Sequence, residues 1–204
     1  MESTKPKSSL PTALTLARMV AGPAIGGLVL WAATLLYVDP HIAGAIYAVT
    51  CGLFIVAAAT DWLDGYLARR LDAVTLLGAA LDHCADKVLV ASVLAALAYA
   101  ALPVDLVAAA ILIIARDMAL AGLREGLQAS GRSVPVSRLG KWKAAAEMAG
   151  VAAFLAFQAA ALLSSSPRLV MTLDWSAHIL IWAAALLALV SGALYAAAAF
   201  RRAA

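Results

Sequence analysis

Apolar residues run along this chain in long blocks broken by short polar turns, with no alternating or one-sided pattern. The blocks predict helices over Leu10–Tyr37, Ile42–Arg70, Leu76–Ala101, Val104–Ala129, Leu139–Leu163 and Trp175–Phe200. At about 1.5 Å rise per residue, a helix of about 20 residues crosses a hydrocarbon core of roughly 30 Å. Backbone in lipid has no water to bond with, so each span must satisfy its own hydrogen bonds as a helix. The expected fold is therefore an all-α integral membrane protein with six transmembrane helices. It forms a single domain over 1–204, with a short amino-terminal segment over 1–9. Lys5 and Lys7 ahead of an apolar run resemble a signal peptide, but Arg18 interrupts the run and no small-residue cleavage site follows. The first helix is expected to be retained.

Composition strengthens the membrane reading. Of 204 residues, 65% are hydrophobic and 13% charged, and the mean hydropathy is +0.93. A soluble domain of this length exposes too much surface to hide so much apolar material. Cys51 and Cys84 both lie inside apolar runs, so they read as packing residues and not as a disulfide framework. Gly22, Gly26, Gly27 and Gly52 read as places where helix backbones approach closely.

The net charge of +3 does not point to nucleic acid, because the basic residues gather where apolar segments end. Arg69, Arg70, Arg124, Arg132, Arg138, Lys141 and Lys143 lie at two junctions, and Lys5, Lys7, Arg201 and Arg202 lie at the termini. The opposite turns, around 39–41, 102–105 and 164–174, contain only Arg168 among basic residues. Positive charge marks the cytoplasmic side, so both termini are expected there, with Lys143 and Arg132 reading as anchors of that bias. Trp31, Tyr37, Trp175 and Trp182 fall toward the outer interface and Trp62, Tyr66 and Trp142 toward the inner one.

Four acids contradict their surroundings. Asp61, Asp64, Asp82 and Asp86 sit within the ends of the second and third apolar blocks, where an unpaired carboxylate costs on the order of several kcal/mol. The members of each pair stand three or four residues apart, which puts them on one helix face. The connection over 71–75 is short, so the two helices are expected to be antiparallel neighbours with the pairs at similar depth. Four carboxylates in a poorly solvated site cannot all stay ionised without counter-charge. All-oxygen ligands of this charge select hard ions, Mg²⁺ or Mn²⁺, and two such ions clamp a diphosphate. His83 and Cys84 are offset onto other faces. Gly65, Ala68 and Gly78 would leave backbone bare for a base or phosphate, with helix packing as the plainer alternative, and Arg69 is able to pair with phosphate oxygens.

The string from Asp61 through Asp64, Gly65, Ala68 and Arg69 to Gly78, Asp82 and Asp86 fits D-x-x-D-G-x-x-A-R-x8-G-x-x-x-D-x-x-x-D at every fixed position. That pattern resembles the CDP-alcohol phosphatidyltransferase family, and so many specified positions make it far more specific than a lone glycine motif. The resemblance implies six transmembrane helices in a homodimer, with two divalent ions held by Asp61, Asp64, Asp82 and Asp86. It implies Asp86 as general base, Gly65 and Ala68 beside the cytidine, Asp64 and Gly78 near the nucleotide, and Arg69 on the phosphates. The likeness extends to Ile114–Asp117, Leu123–Glu125, Gly131–Val134, Leu139–Lys143 and Leu10–Arg18, and is closest to the branch whose acceptor is glycerol 3-phosphate. Ser9 stands where Asn is common in that branch, and His83 where Pro is common.

The implied partners are CDP-diacylglycerol, glycerol 3-phosphate and membrane lipid, in a bacterial inner membrane with the site facing the cytoplasm. An anionic acceptor needs cations outside the metal centre, and Arg116, Arg124, Arg138, Lys141 and Lys143 lie on the same side. Arg116 is singled out because it sits within an apolar segment, with an ion pair to a neighbouring carboxylate as the alternative. Lys87 would temper Asp86 or contact phosphate, and Glu147 would pair with one of these bases. Competing readings are another acceptor (phosphatidylglycerol, inositol phosphate or serine), a cation transporter, or a purely structural membrane protein. The acids bunch at one membrane face with no polar path beyond them, which weighs against transport.

Overall fold

The structure is a computed structural model that describes residues 10–70, 76–129, 138–164 and 166–201, with the description limited to the backbone at 10–15, 61–70, 76–84, 86, 128–129, 138 and 200–201. Among the described residues the chain forms six helices and no strand: α1 (Leu10–Leu35), α2 (Pro40–Arg70), α3 (Leu76–Ala100), α4 (Val104–Ala129), α5 (Arg138–Leu163) and α6 (Pro167–Arg201). Five segments are long and apolar enough to cross a membrane: Leu16–Leu35, Pro40–Thr60, Val104–Leu127, Leu139–Leu163 and Pro167–Ala199. The described part of α3 adds a shorter apolar helix, Lys87–Ala100.

Local chemistry explains the boundaries. Asp39 caps α2, accepting from the Ile42 amide through Oδ1 at 3.0 Å and from the Ala43 amide through its carbonyl at 3.0 Å. Pro40 then takes the first helical position, where a missing N–H costs nothing. The same logic moves the start of α6 from the expected Trp175 back to Pro167. Pro167 opens the helix, and the Ser166 carbonyl accepts from the Val170 amide at 3.3 Å. Polar residues from Arg168 to Asp174 mask that helix in the sequence. α1 runs through Pro23 without ending, which the surrounding packing of a membrane helix permits.

Among the described residues the helices pack in the order α3, α1, α2, α5, α6, α4, with α4 also touching α3. Glycines set the closest approaches. A Cβ at Gly22 would stand 2.7 Å from the Leu89 Cα and 3.0 Å from the Val88 carbonyl oxygen, and one at Gly26 would meet the Ser92 carbonyl at 3.1 Å. These matches ascend together, so α1 and α3 run parallel in backbone contact. Gly150 admits the Ile181 backbone to α5 in the same way. The Cys51 thiol donates to the Ala152 carbonyl at 3.5 Å, tying α2 to α5 and matching its reading as a packing residue. Among the described residues α1 packs against both α2 and α3; the α2–α3 junction, where those two are expected to be antiparallel neighbours, lies outside the described side chains.

Tyr47, Phe54, Leu89, Leu97, Ile113, Phe154 and Ile181 fill the interior. Large apolar residues also cover the outside, including Val49, Ile55, Ile111, Ile179 and Leu186. Apolar surfaces on both sides of a helix suit a bundle whose solvent is lipid.

Candidate active site at one end of the bundle

α2 ends and α3 begins at the same end of the bundle, and this end carries the sequence-selected acids. Asp61 and Asp64 lie in the last turns of α2, Asp82 and Asp86 in the first turns of α3, all with helical backbone. Gly65, Ala68 and Arg69 follow on α2, and Gly78 on α3. The side chains of these eight residues, and of Arg138 at the start of α5, lie outside the described residues, as do Arg132 and the connection over 71–75. The site's contacts are therefore read from what surrounds them.

Directly after Asp86, Lys87 begins a network that links four helices. Its ammonium donates to Asp117 Oδ2 on α4 at 2.5 Å. Lys143 on α5 donates to the same oxygen at 2.7 Å and also to Glu147, one turn along its own helix. The second Asp117 oxygen accepts from Arg116 Nη1 at 2.9 Å. Arg116 then lies across α6, with Nε donating to the Ala188 carbonyl at 3.0 Å and Nη2 to the Ser191 hydroxyl at 2.7 Å. Gly192 makes room for it, since a Cβ there would stand 3.3 Å from Arg116 Cγ.

Among the described residues, three cationic heads meet two carboxylates here. Lys143 is 2% exposed and Asp117 7%, so water screens little of this field. Lys143 is consequently no interfacial anchor: burial between two acids overturns the charge-bias expectation, which weighed only its nearness to a helix end. Glu147 finds Lys143 as its base. The ion pair weighed as the alternative for Arg116 is present, and Lys87 tempers an acid, Asp117, on another helix.

Of the other cations proposed for an acceptor phosphate, Arg124 sits 6.0 Å from the centre of the Tyr195 ring on α6, within the reach of a cation–π contact. Lys141 is exposed at the start of α5. Ser191, Gly192 and Tyr195 were not singled out from sequence. Their signal was faint: a Ser-Gly pair and one Tyr in an otherwise apolar stretch of α6.

An open groove of about 360 Å³ runs between α1 and α2 toward the same end. Ala21, Ala24, Leu28, Leu53 and Val56 line it, with Arg18 and Thr60 among the polar lining residues. Thr60 immediately precedes Asp61 on α2.

The bundle, with five segments long and apolar enough to cross a membrane, carries the acid pattern where α2 gives way to α3, and that pattern resembles a membrane transferase of the CDP-alcohol type. The chain matches the CDP-alcohol phosphatidyltransferase family over residues 8–190 and belongs to it. It is thereby an integral membrane protein. It is 40% identical over 154 residues to a CDP-diacylglycerol–glycerol-3-phosphate 3-phosphatidyltransferase of Bacillus subtilis, covering 74% of this chain and 70% of that one. A protein of the same name from Rickettsia bellii is 35% identical over 187 residues, covering 92% and 93%. A cardiolipin synthase (CMP-forming) from rice is 37% identical over 160 residues, covering 72% of this chain and 46% of the rice protein.

Proposed function

We propose that this protein transfers the phosphatidyl group of CDP-diacylglycerol to sn-glycerol 3-phosphate, giving phosphatidylglycerol phosphate and CMP, the activity of a phosphatidylglycerophosphate synthase. One observation carries the reading: the complete acid pattern from Asp61 to Asp86 lies in a chain that matches glycerol-3-phosphate 3-phosphatidyltransferases over nearly its whole length. In this reading all six helices span the membrane, both termini and the site face the cytoplasm of a bacterial inner membrane, and the protein works as a homodimer.

Asp61, Asp64, Asp82 and Asp86 would hold two divalent ions, Mg²⁺ or Mn²⁺, since their donor set is all oxygen and strongly anionic. Ions bound there would withdraw charge from the diphosphate. Gly65 and Ala68 border the cytidine, Asp64 and Gly78 lie near the nucleotide, and Arg69 meets the phosphates. Asp86 accepts the proton of the acceptor hydroxyl as that oxygen bonds to the lipid-side phosphorus. The bond from this phosphorus to the CMP oxygen breaks, and CMP leaves with the electron pair. The α1–α2 groove gives an acyl chain an apolar path ending beside Asp61.

Arg124, Arg138 and Lys141 draw in the acceptor phosphate. Arg116, its fork already committed to Asp117 and Ser191, acts on the acceptor phosphate through its charge and not by direct contact. The likeness to the rice cardiolipin synthase favours a second reading, the same chemistry with phosphatidylglycerol as acceptor. Purified protein supplied with CDP-diacylglycerol and Mg²⁺ or Mn²⁺ should release CMP fastest with glycerol 3-phosphate, when compared with phosphatidylglycerol, inositol phosphate and serine. A higher rate with phosphatidylglycerol moves the assignment to the second reading, and no CMP with any acceptor refutes both.

A further inference from the structure

We propose that Lys87 and Asp117 form a tether that sets the rotation of the α3 turn bearing Asp86, making both of them positioning residues for phosphatidyl transfer. The proposal rests on the reading of Asp86 as part of the reacting centre. Lys87 is the next residue along α3, so any constraint on its side chain acts on the same helical turn. Its ammonium is bound to Asp117 Oδ2 at 2.5 Å, and Asp117 is itself held from three directions: Lys87 on α3, Arg116 on α4 and Lys143 on α5. Arg116 is in turn fixed to α6. The carboxylate has no freedom to follow a moving lysine.

The same α3 turn is clamped from the opposite partner. Gly22 of α1 meets the Val88 and Leu89 backbone so closely that α3 cannot approach further. α1 thus limits the depth of the turn, while the Lys87–Asp117 bond limits its rotation. A helical side chain reaches about 5–6 Å from the axis, so a 20° rotation carries its tip through roughly 2 Å. Misplacing a reacting group by about 1 Å is enough to cost roughly 100-fold in rate. Stability alone does not require Lys87 here, because Arg116 and Lys143 already neutralise Asp117.

A double-substitution cycle on the full-length protein tests the tether. Lys87→Met and Asp117→Asn should each lower kcat by about 10-fold or more, in the range seen when groups supporting metal ligands are removed. KM for both substrates should stay within about threefold. The double variant should be no worse than either single one, because both break the same link. Lys87→Arg should restore part of the rate. His178→Ala, at a contact of α6 with Asp174 that lies outside this network, should leave kcat within about twofold.

Mn²⁺ binding gives a readout of opposite sign for the competing explanation. Removing the Lys87 charge would tighten a nearby cation site if only the electric field mattered, whereas loss of the tether should weaken Mn²⁺ binding by about 10-fold. Tighter or unchanged Mn²⁺ binding in Lys87→Met, or effects that multiply in the double variant, would overturn the proposal. If Asp117→Asn does not fold, the Lys87 variants and their Mn²⁺ affinities decide it. Failure of the functional reading shows separately, as absence of CMP release by the unsubstituted protein.

Discussion

Among the polar contacts between the parallel helices α4 and α6, two joints differ in kind. Toward one end, Asp105 of α4 faces His178 of α6 at 3.8 Å, with His178 also 3.2 Å from Asp174. These side chains are 27%, 53% and 38% exposed for His178, Asp105 and Asp174. Toward the other, Arg116 crosses α6 at hydrogen-bond distance and brings with it a buried carboxylate shared by two lysines. Exposed pairs are screened and contribute little. Buried ones cost desolvation energy that their attraction only partly offsets. The buried network begins on the α3 turn that bears Asp86 and the exposed contact lies far from it, so the two joints should respond differently to substitution.

Breaking the buried joint should have the largest effect. Lys143→Ala leaves Glu147 without its base and Asp117 with one fewer, so a loss of about 3–5 kcal/mol is expected, read as a lowered thermal midpoint in detergent. Gly22→Ala comes next, since its Cβ would sit 2.7 Å from a backbone atom that no side-chain rearrangement can clear. Overpacking of this kind costs about 1–3 kcal/mol, and turnover should fall with it as α3 is pushed from α1. Gly192→Ala would press on Arg116 at Cγ and at Nε, the atom bonded to the Ala188 carbonyl, and the gain in helix propensity only partly offsets this, so a loss of about 1 kcal/mol is expected. Smallest is His178→Ala at the exposed joint, with at most about 1 kcal/mol at low salt, less at high salt, and unchanged CMP release. An effect of His178→Ala as large as that of Lys143→Ala would erase the distinction between the joints.

Much of the helix pattern was legible from apolar block length: α4 spans the expected 104–129, and the other ends except the start of α6 fall within a few residues. α6 escaped because its first turns carry Arg168 and Asp174, which read as a loop until Pro167 is seen to open the helix. Helix neighbours were not legible. Apolar residues surround each helix, so no face announced its partner, and the α3 backbone that Gly22 and Gly26 of α1 meet could not be assigned from sequence. The acid pattern stood out because carboxylates are costly in apolar blocks. The roles of Lys143 and Glu147 did not, although their spacing allowed a pair, because Asp117 reaches them only through the packing of α4 against its neighbours.

The four aspartates at the α2–α3 junction are central, and Asp86 bears the sharpest assignment among them. The direct measurement is CMP release from CDP-diacylglycerol and glycerol 3-phosphate by Asp86→Asn beside the parent protein, with CDP-lipid binding followed in parallel. Turnover should be severely reduced while CDP-lipid binding is partly kept. Near-normal turnover in the variant would remove Asp86 from the role of base.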